Sequence, residues 1–298
     1  MTERDREGWA SAGPEPWRSR VPVVLVHGLR TSRTMWRVQV EALERSGRTA
    51  VAVDLPGHGV RRGERFSLEA ADETLVRAVD DVGGRALVVG LSLGGYVAIA
   101  HAARHPEQVV GLVAASCCTR PWRPLVDGWA VAASVIARLP DAGARLNQLL
   151  VERMLPPAGV ADSGAGGFAL EVMVDVLRAI RSARPLEDLA RVDAPVWLVN
   201  GRFDHFRGEE RAFLRACRHG RLVVVPGATH LVSLVRPTRF TRVLLEAVAE
   251  VEGVVEGAVP LGVGPTSEGQ RPGADTADDA GLVGHHDDVV AEPVQHLR

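Results

Sequence analysis

One serine in the sequence stands between glycines at the end of an apolar run. The stretch VVGLSLGGYVA (residues 88–98) holds Ser92, with Gly90 and Gly94 two positions away on either side. A nucleophile on a sharp turn between a strand and a helix needs small neighbours there, because larger side chains would collide with the helix. At the helix N-terminus, the backbone N–H of Leu93 would face developing negative charge. The spacing predicts that Ser92 is a nucleophile and that Leu93 is an oxyanion donor.

A histidine and an aspartate that suit this serine follow it in the chain. Serine needs a base that takes its proton and returns it to the leaving group, and imidazole performs both steps. His230, in VVVPGATHLVSL, comes after the last predicted strand, and we predict that it is this base. Asp204, in VWLVNGRFDHF, follows another predicted strand and is the expected acid that orients the imidazole. Asp54, at the end of AVAVDLPGHG, is the alternative acid, although a capping or turn role explains it.

The loop after the first predicted strand, VLVHGLRTS, supplies the second predicted oxyanion donor, which is the backbone N–H of Leu29. We expect His27 to hold this loop by hydrogen bonding rather than to act as a base. Arg30 and Arg33 are interpreted as solvated loop residues, with contact to an anionic substrate as the alternative. His205 is an alternative base, but adjacent side chains on a loop usually point apart, so we expect it to point away from Asp204.

Six apolar runs rich in Val and Leu are the candidate strands that position the predicted catalytic residues. The runs are continuous rather than alternating, which is typical of strands covered by helices on both faces. Longer stretches with helical spacing separate them, and right-handed crossovers are expected between the strands. The sequence therefore predicts an α/β fold, with a mostly parallel sheet of about six strands flanked by helices. The runs are VPVVLVHG, TAVAVDLPG, RALVVGLS, VVGLVAASC, APVWLVNG and RLVVVPG.

The pattern of runs divides the chain into five predicted segments. Residues 1–20 are a flexible N-terminal segment, and residues 21–118 and 187–252 are the two parts of the α/β core. Residues 119–186 contain no strand-like run and are predicted to form a cap of several helices, with a loop at PPAGVADSGAGG. Residues 253–298 are rich in Gly, Pro, Ala and Asp, and we predict a disordered acidic tail.

Large apolar residues of the predicted cap are candidate substrate contacts. A substrate pocket is expected between the cap and the edge of the sheet. An apolar face at helical spacing more often reflects ordinary packing, so packing is the favoured interpretation and substrate contact is the alternative. The candidates are Trp122, Trp129, Met154, Phe168 and Met173.

Composition argues against several classes of protein. A formal net charge of -2 gives no reason to expect nucleic acid or an anionic membrane as a partner. The absence of lysine excludes Schiff-base and P-loop lysine chemistry. We predict a cytoplasmic protein for three reasons. The three cysteines have no paired spacing, the N-terminus is charged, and no apolar run is long enough to span a bilayer. No CxxC pattern indicates a metal, and we interpret His285 and His286 as solvated tail residues.

The motifs together resemble those of the α/β-hydrolase superfamily, over roughly residues 21–250. The resemblance implies the Ser92-His230-Asp204 triad, the two oxyanion donors named above, an acyl-enzyme intermediate and no cofactor. Family members often have two further strands at the start, for which the first twenty residues have hardly any room, so a shortened sheet is expected. The matching segments are His27-Gly28, DLPGHG, GLSLGG, GRFD and GATH.

The leading functional hypothesis is a serine hydrolase that cleaves a carboxylic ester, lactone or thioester of a small, largely apolar molecule through an acyl-Ser92 intermediate. The same framework also supports acyl transfer, cofactor-free perhydrolase or haloperoxidase chemistry, C–C bond hydrolysis and small-molecule sensing. Dehalogenases and epoxide hydrolases of the superfamily have an aspartate where this chain has Ser92, so the resemblance argues against those two activities. The sequence indicates no oligomeric state.

Overall fold

The structure is a computed structural model that describes residues 20–256 of the chain. Nearly all of the predicted flexible N-terminal segment and of the predicted acidic tail lie outside the described residues, as do the tail histidines. The following description concerns the described part.

Six parallel strands form one sheet with the order β2-β1-β3-β4-β5-β6. This arrangement confirms the predicted parallel sheet of about six strands. The four residues of the first strand, VVLV, are all buried, as continuous apolar runs require in a sheet with both faces covered. The strands are β1 (Val23–Val26), β2 (Ala50–Val53), β3 (Ala86–Leu91), β4 (Val109–Ala115), β5 (Val196–Gly201) and β6 (Gly220–Val225).

The strand order reverses direction at β1, which pairs with β2 on one side and with β3 on the other. Loops that leave the carboxyl ends of strands on either side of such a switch diverge and open a crevice between them. Val26 at the end of β1 is in register with Gly90 in β3. The loop that carries His27 and the turn that carries Ser92 therefore start side by side.

Helices cover both faces of the sheet. Two of them, α1 and α11, pack on one face around Trp36 and Phe240, whereas α2, α3 and α9 pack on the other around Leu75 and Phe213. These helices are α1 (Arg37–Arg45), α2 (Leu68–Asp81), α3 (Leu93–Arg104), α9 (Glu210–Ala216) and α11 (Pro237–Glu256). The central strands β1, β3, β4 and β5 are thereby buried between two helical layers, whereas the edge strands β2 and β6 are mostly half-buried.

The connection from β4 to β5 contains further helices, as expected for residues 119–186. The division of the chain into a core and a cap remains a prediction, because the last of these helices, α8, packs against α3 on the sheet. The five helices are α4 (Arg123–Ile136), α5 (Ala144–Met154), α6 (Pro157–Gly164), α7 (Met173–Ile180) and α8 (Pro185–Leu189).

The prediction of a loop at PPAGVADSGAGG is wrong, because most of this segment forms helix α6. The glycines lower its intrinsic helix propensity, but tertiary contacts compensate. The Asp162 carboxylate accepts a hydrogen bond of 2.7 Å from Arg37 Nε. A Cβ on Gly159 would lie 3.3 Å from the carbonyl oxygen of Leu234, so the helix approaches the neighbouring backbone closely. Neither contact is visible in the local sequence.

In the described range, no helix combines the length and the apolar character needed to cross a membrane.

Candidate active site

Ser92 lies at the junction of β3 and α3, on a turn with an unusual backbone conformation. Its φ of 56° and ψ of -113° are strained for a residue with a side chain. A Cβ on Gly90 would stand 2.1 Å from the carbonyl oxygen of Gly94, and a Cβ on Gly94 would stand 2.3 Å from that of Val26. Only glycine fits at these two positions. The Ser92 N–H donates to the carbonyl of Ala115 at 2.8 Å, which ties the turn to β4.

The side chains of Ser92, His230 and Asp204 form one hydrogen-bonded chain. His230 Nε2 lies 2.9 Å from Ser92 Oγ, and His230 Nδ1 lies 3.0 Å from Asp204 Oδ1. Because a carboxylate only accepts hydrogen bonds, the imidazole proton is on Nδ1, and Nε2 is left free to accept the serine hydroxyl proton. The three residues that the motifs singled out are therefore within hydrogen-bonding distance, although they come from three separate loops.

Asp204 is held as a carboxylate in a buried setting. Burial raises its pKa, but the hydrogen bond and charge of His230 and the backbone N–H of Phe206 lower it, and the net pKa lies below its usual range. The Phe206 N–H donates to Oδ1 at 2.8 Å. Asp204 Oδ2 and Ser116 Oγ are both buried, and neither reaches hydrogen-bonding geometry with a described residue. An ionised Asp204 favours the imidazolium that forms when His230 takes a proton.

Ser116 was missed by the sequence analysis. It directly follows β4, is fully buried and has a φ of 55°. The available signal was a polar residue at the end of an apolar run, the same signal that marked Ser92 and Asp204.

His205 does not point away from Asp204 as expected. Its Nδ1 lies 3.9 Å from Asp204 Oδ1, and its ring centroid lies 5.0 Å from that of His230. Burial and the neighbouring His230 lower the pKa of His205, which favours the neutral ring. A short 3-10 turn at residues 205–207 places the His205 side chain over the site. The expectation that it would point away assumed an open loop without this turn.

His27 fixes the peptide that joins Gly28 to Leu29. The Leu55 N–H donates to His27 Nε2 at 3.0 Å, so the ring proton is on Nδ1, and Nδ1 donates to the Gly28 carbonyl at 2.8 Å. The Thr31 hydroxyl donates to the same carbonyl at 2.9 Å. In a trans peptide the next N–H points the opposite way, so the Leu29 N–H is directed away from this hydrogen-bonded cluster.

The two N–H groups predicted to face an oxyanion lie near Ser92. Leu29 and Leu93 both line the cavity that contains the serine hydroxyl. The Leu93 N–H belongs to the first turn of α3, where helical N–H groups have no partner within the helix. A Cβ on Gly28 would lie 3.6 Å from the Cβ of Ser92, which shows how closely the two loops approach.

The neutral state of His27 leads to a testable dependence of stability on pH. Burial and the neighbouring His58 lower the pKa of His27 to about 3, so the unfolded chain binds a proton below pH 6.5 that the folded chain does not. Stability is therefore lost as the pH falls. We expect the His27→Gln variant to lose about 1–2 kcal/mol less than the wild type between pH 7 and pH 5. Urea unfolding at both pH values measures this difference, and parallel losses in the two proteins would contradict it.

Asp54, the alternative acid, has a structural role. Its carboxylate accepts hydrogen bonds from the Arg33 N–H at 2.7 Å and from the Val60 N–H at 3.1 Å. It joins two loops and does not line the cavity beside Ser92. This matches the turn role that the sequence analysis gave as its explanation.

A cavity of about 440 Å³ opens beside Ser92 and His230. Apolar side chains from α4, α5 and α7 form much of its wall. All five candidate substrate contacts line it, and the sequence analysis missed others, including Tyr96, Val126, Leu155, Leu177 and Phe206. The five are Trp122, Trp129, Met154, Phe168 and Met173.

The two arginines that follow Leu29, Arg30 and Arg33, behave differently. Arg33 is half exposed and lies 3.7 Å from the Asp54 carboxylate, as expected of a loop arginine. Arg30 lines the cavity instead and is half-buried, so it does not fit the interpretation as a solvated residue. Its side chain meets Asn147, which lies 117 residues away in sequence, and this contact had no local signal.

Two groups of histidines and carboxylates have spacings short enough for a metal ion. In the first, Asp204 and His230 already bond each other and Ser92, so their atoms are engaged. In the second, Asp72 bonds His101 at 3.0 Å and His105 at 3.2 Å and also bonds Arg104. Among the described residues this second group joins α2 to α3 and does not line the cavity, which fits a structural polar cluster.

Comparison with known proteins agrees with this fold. Residues 23–243 match the model of the alpha/beta hydrolase family. The chain is 26% identical over 241 residues to a pimeloyl-[acyl-carrier protein] methyl ester esterase of Yersinia enterocolitica, covering 75% of this chain and 92% of that protein. It is 29% identical over 279 residues to the protein of the same name from Neisseria meningitidis, covering 85% of each.

Solved structures show the same fold. A thermophilic esterase from Thermogutta terrifontis superposes with a TM-score of 0.66 at 24% identity, covering 78% of this chain and 90% of that one. This chain belongs to the alpha/beta hydrolase family. Within that family, its relatives identify it as a carboxylic ester hydrolase.

Proposed function

We propose that the protein hydrolyses a carboxylic ester of a small, largely apolar molecule through a covalent acyl-Ser92 intermediate. The observation that carries this proposal is the unbroken chain of hydrogen bonds from Ser92 Oγ through His230 to Asp204, with the serine on a strained turn at the wall of an apolar cavity. His230 acts as general base and acid, and Asp204 orients it.

In the first half of the reaction, Ser92 Oγ attacks the ester carbonyl carbon while its proton moves to His230 Nε2. The electron pair of the carbonyl π bond moves to oxygen, and the Leu29 and Leu93 N–H groups donate to that oxyanion. The oxyanion then re-forms the carbonyl, the bond to the leaving alkoxide breaks, and this alkoxide takes the proton from His230. The alcohol leaves and the acyl group remains on Ser92.

In the second half, water replaces the alcohol and attacks the acyl carbon while His230 takes one of its protons. The oxyanion is stabilised by the same two N–H groups, and its collapse breaks the bond to Ser92 Oγ, which recovers its proton from His230. Asp204 remains ionised throughout and stabilises the imidazolium in both halves. The products are the acid and the free enzyme.

The cavity supports a small apolar substrate. Its volume of about 440 Å³ falls within the range of small-molecule sites, and Trp122, Trp129 and Met173 supply apolar wall. Burial of apolar substrate surface there stabilises the complex by about 25 cal/mol per Å² before the costs of association.

The experiment that tests this proposal looks for the covalent intermediate. A nitrophenyl ester panel of increasing acyl length is expected to give turnover, and rapid acid quenching should give a protein mass increased by the acyl group. Peptide mapping should assign the added mass to Ser92, and a fluorophosphonate should label the same residue and stop turnover. Labelling at another residue, or full turnover after complete labelling of Ser92, would overturn the proposal.

A further inference from the structure

Arg30 places a positive charge beside the cavity without a matching negative charge. In the described part of the chain, no aspartate or glutamate lines this cavity. Burial lowers the pKa of Arg30, and no nearby acid counteracts that effect. A guanidinium that loses water without gaining a counter-ion is unfavourable unless something else binds there.

Other arginines of the protein show what is missing. Arg61, Arg62 and Arg207 each bond a glutamate, and each has a raised pKa for that reason. Arg120 also lines the cavity, but it is paired with Glu209 at 2.6 Å. Arg30 is therefore the cation of the described cavity wall whose charge is not neutralised.

The position of Arg30 is fixed by contacts at both ends. The Ala169 N–H donates to its carbonyl at 2.9 Å, and its Nη1 donates to the buried Asn147 Oδ1 at 3.0 Å. Its backbone has a φ of 71°, a conformation that glycine would adopt without strain. Asn147 is uncharged, so this hydrogen bond orients the guanidinium and leaves its other N–H donors and its charge available.

We propose that Arg30 binds a carboxylate on the substrate, so that the preferred substrates are half-esters of dicarboxylic acids or related esters that carry an anionic group. This inference rests on the proposed ester hydrolysis and adds the substrate class to it. An arginine fork binds a carboxylate through two parallel hydrogen bonds, a geometry that an ammonium group cannot reproduce. The apolar walls then contact the chain between the ester and the anion.

The position of Arg30 in sequence limits the length of that chain. Arg30 directly follows Leu29, whose N–H faces the ester oxygen in the proposed mechanism. The anion therefore lies within one arginine side chain of the reacting carbonyl, on the side of α5. We expect half-esters of succinate, glutarate and adipate to span this separation better than half-esters of much longer diacids.

The test measures binding and turnover separately. The Ser92→Ala protein, which cannot form the acyl intermediate, is titrated with methyl hydrogen glutarate and with its neutral match, methyl pentanoate. The anionic ester is expected to bind more tightly, and adding Arg30→Gln should weaken its binding about 10-fold or more while leaving the neutral ester unchanged. Arg30→Lys should restore part of the loss. Arg33→Gln is the matched control, because Arg33 does not line the cavity, and it should leave both affinities unchanged.

Thermal unfolding of each variant checks that it is folded. Equal binding of the two esters, or an equal effect of Arg30→Gln on both, would overturn the role of Arg30. Turnover of nitrophenyl esters by the enzyme with Ser92 intact is measured alongside. Normal turnover without a preference for the anion rejects only this inference, whereas selective binding without turnover rejects the proposed hydrolysis and leaves the anion site standing.

Discussion

Replacing Ser92 by alanine is expected to lower kcat for a nitrophenyl ester by about 10⁴-fold to 10⁶-fold. The alanine removes the hydroxyl that lies 2.9 Å from His230 Nε2 and leaves the cavity and the Leu29 and Leu93 N–H groups in position. The chemical step therefore loses its nucleophile, while substrate binding changes little. Steady-state kinetics with saturating ester measure the effect, and residual activity is corrected for the uncatalysed rate.

A second serine provides the matched control for this substitution. Ser182 is on the surface at the end of α7, and its hydroxyl donates to the Ala179 carbonyl at 2.9 Å. Ser182→Ala should retain wild-type kcat within a factor of about two, since surface substitutions are usually worth less than 0.5 kcal/mol. If Ser92→Ala kept most of the activity, the nucleophile would have to be sought elsewhere in the cavity.

Substitution of Gly94 by alanine is expected to cost about 3 kcal/mol of stability and to lower Tm by roughly 10 °C. The added Cβ would lie 2.3 Å from the carbonyl oxygen of Val26 and 2.6 Å from that of His27. Both are backbone atoms at the end of β1, so α3 or the loop that follows β1 must move. Because that movement also shifts Ser92 relative to Leu29, we expect kcat to fall even below the melting temperature.

Another helical glycine tests whether the effect comes from close approach rather than from glycine itself. Gly128 lies within α4, and a Cβ built on it meets no atom within 4 Å. Alanine is the better helix former, so Gly128→Ala should raise the free energy of unfolding by up to about 0.5–1 kcal/mol and should not lower Tm. Calorimetry of both variants measures the contrast, and similar Tm changes in the two would mean that the crowding at Gly94 is relieved without strain.

The sheet could be predicted from sequence because burial on both faces leaves a strong local signal. The run at residues 23–26, for instance, consists of Val and Leu alone, and it becomes a fully buried strand. The turn that carries Ser92 was predictable for a similar reason, since it demands glycine at two fixed positions. In each case the physical requirement acts on residues that are close in sequence.

What the sequence could not reveal depends on contacts between distant segments. Helix α6 is held by contacts with distant segments, in which Asp162 bonds Arg37 and Gly159 approaches the backbone of Leu234. Arg30 faces the cavity because Asn147 holds it, and His205 turns over the site because a short helical turn follows Asp204. These outcomes are decided by packing, and local propensity carries no information about them.

The placement of β4 beside β5 has a consequence for how such enzymes diversify. Leu112 and Val196 are paired in neighbouring strands although 84 residues separate them in sequence, so the intervening chain leaves the sheet and returns to almost the same place. Making the connection between β4 and β5 longer adds little to the entropic cost of closing it, since that cost grows only with the logarithm of its length. The segment between β4 and β5, which supplies most of the residues that line the cavity, can therefore be exchanged or resized by recombination while Ser92, His230 and Asp204 stay on an unaltered frame. This makes the connection the natural point for grafting new substrate preferences.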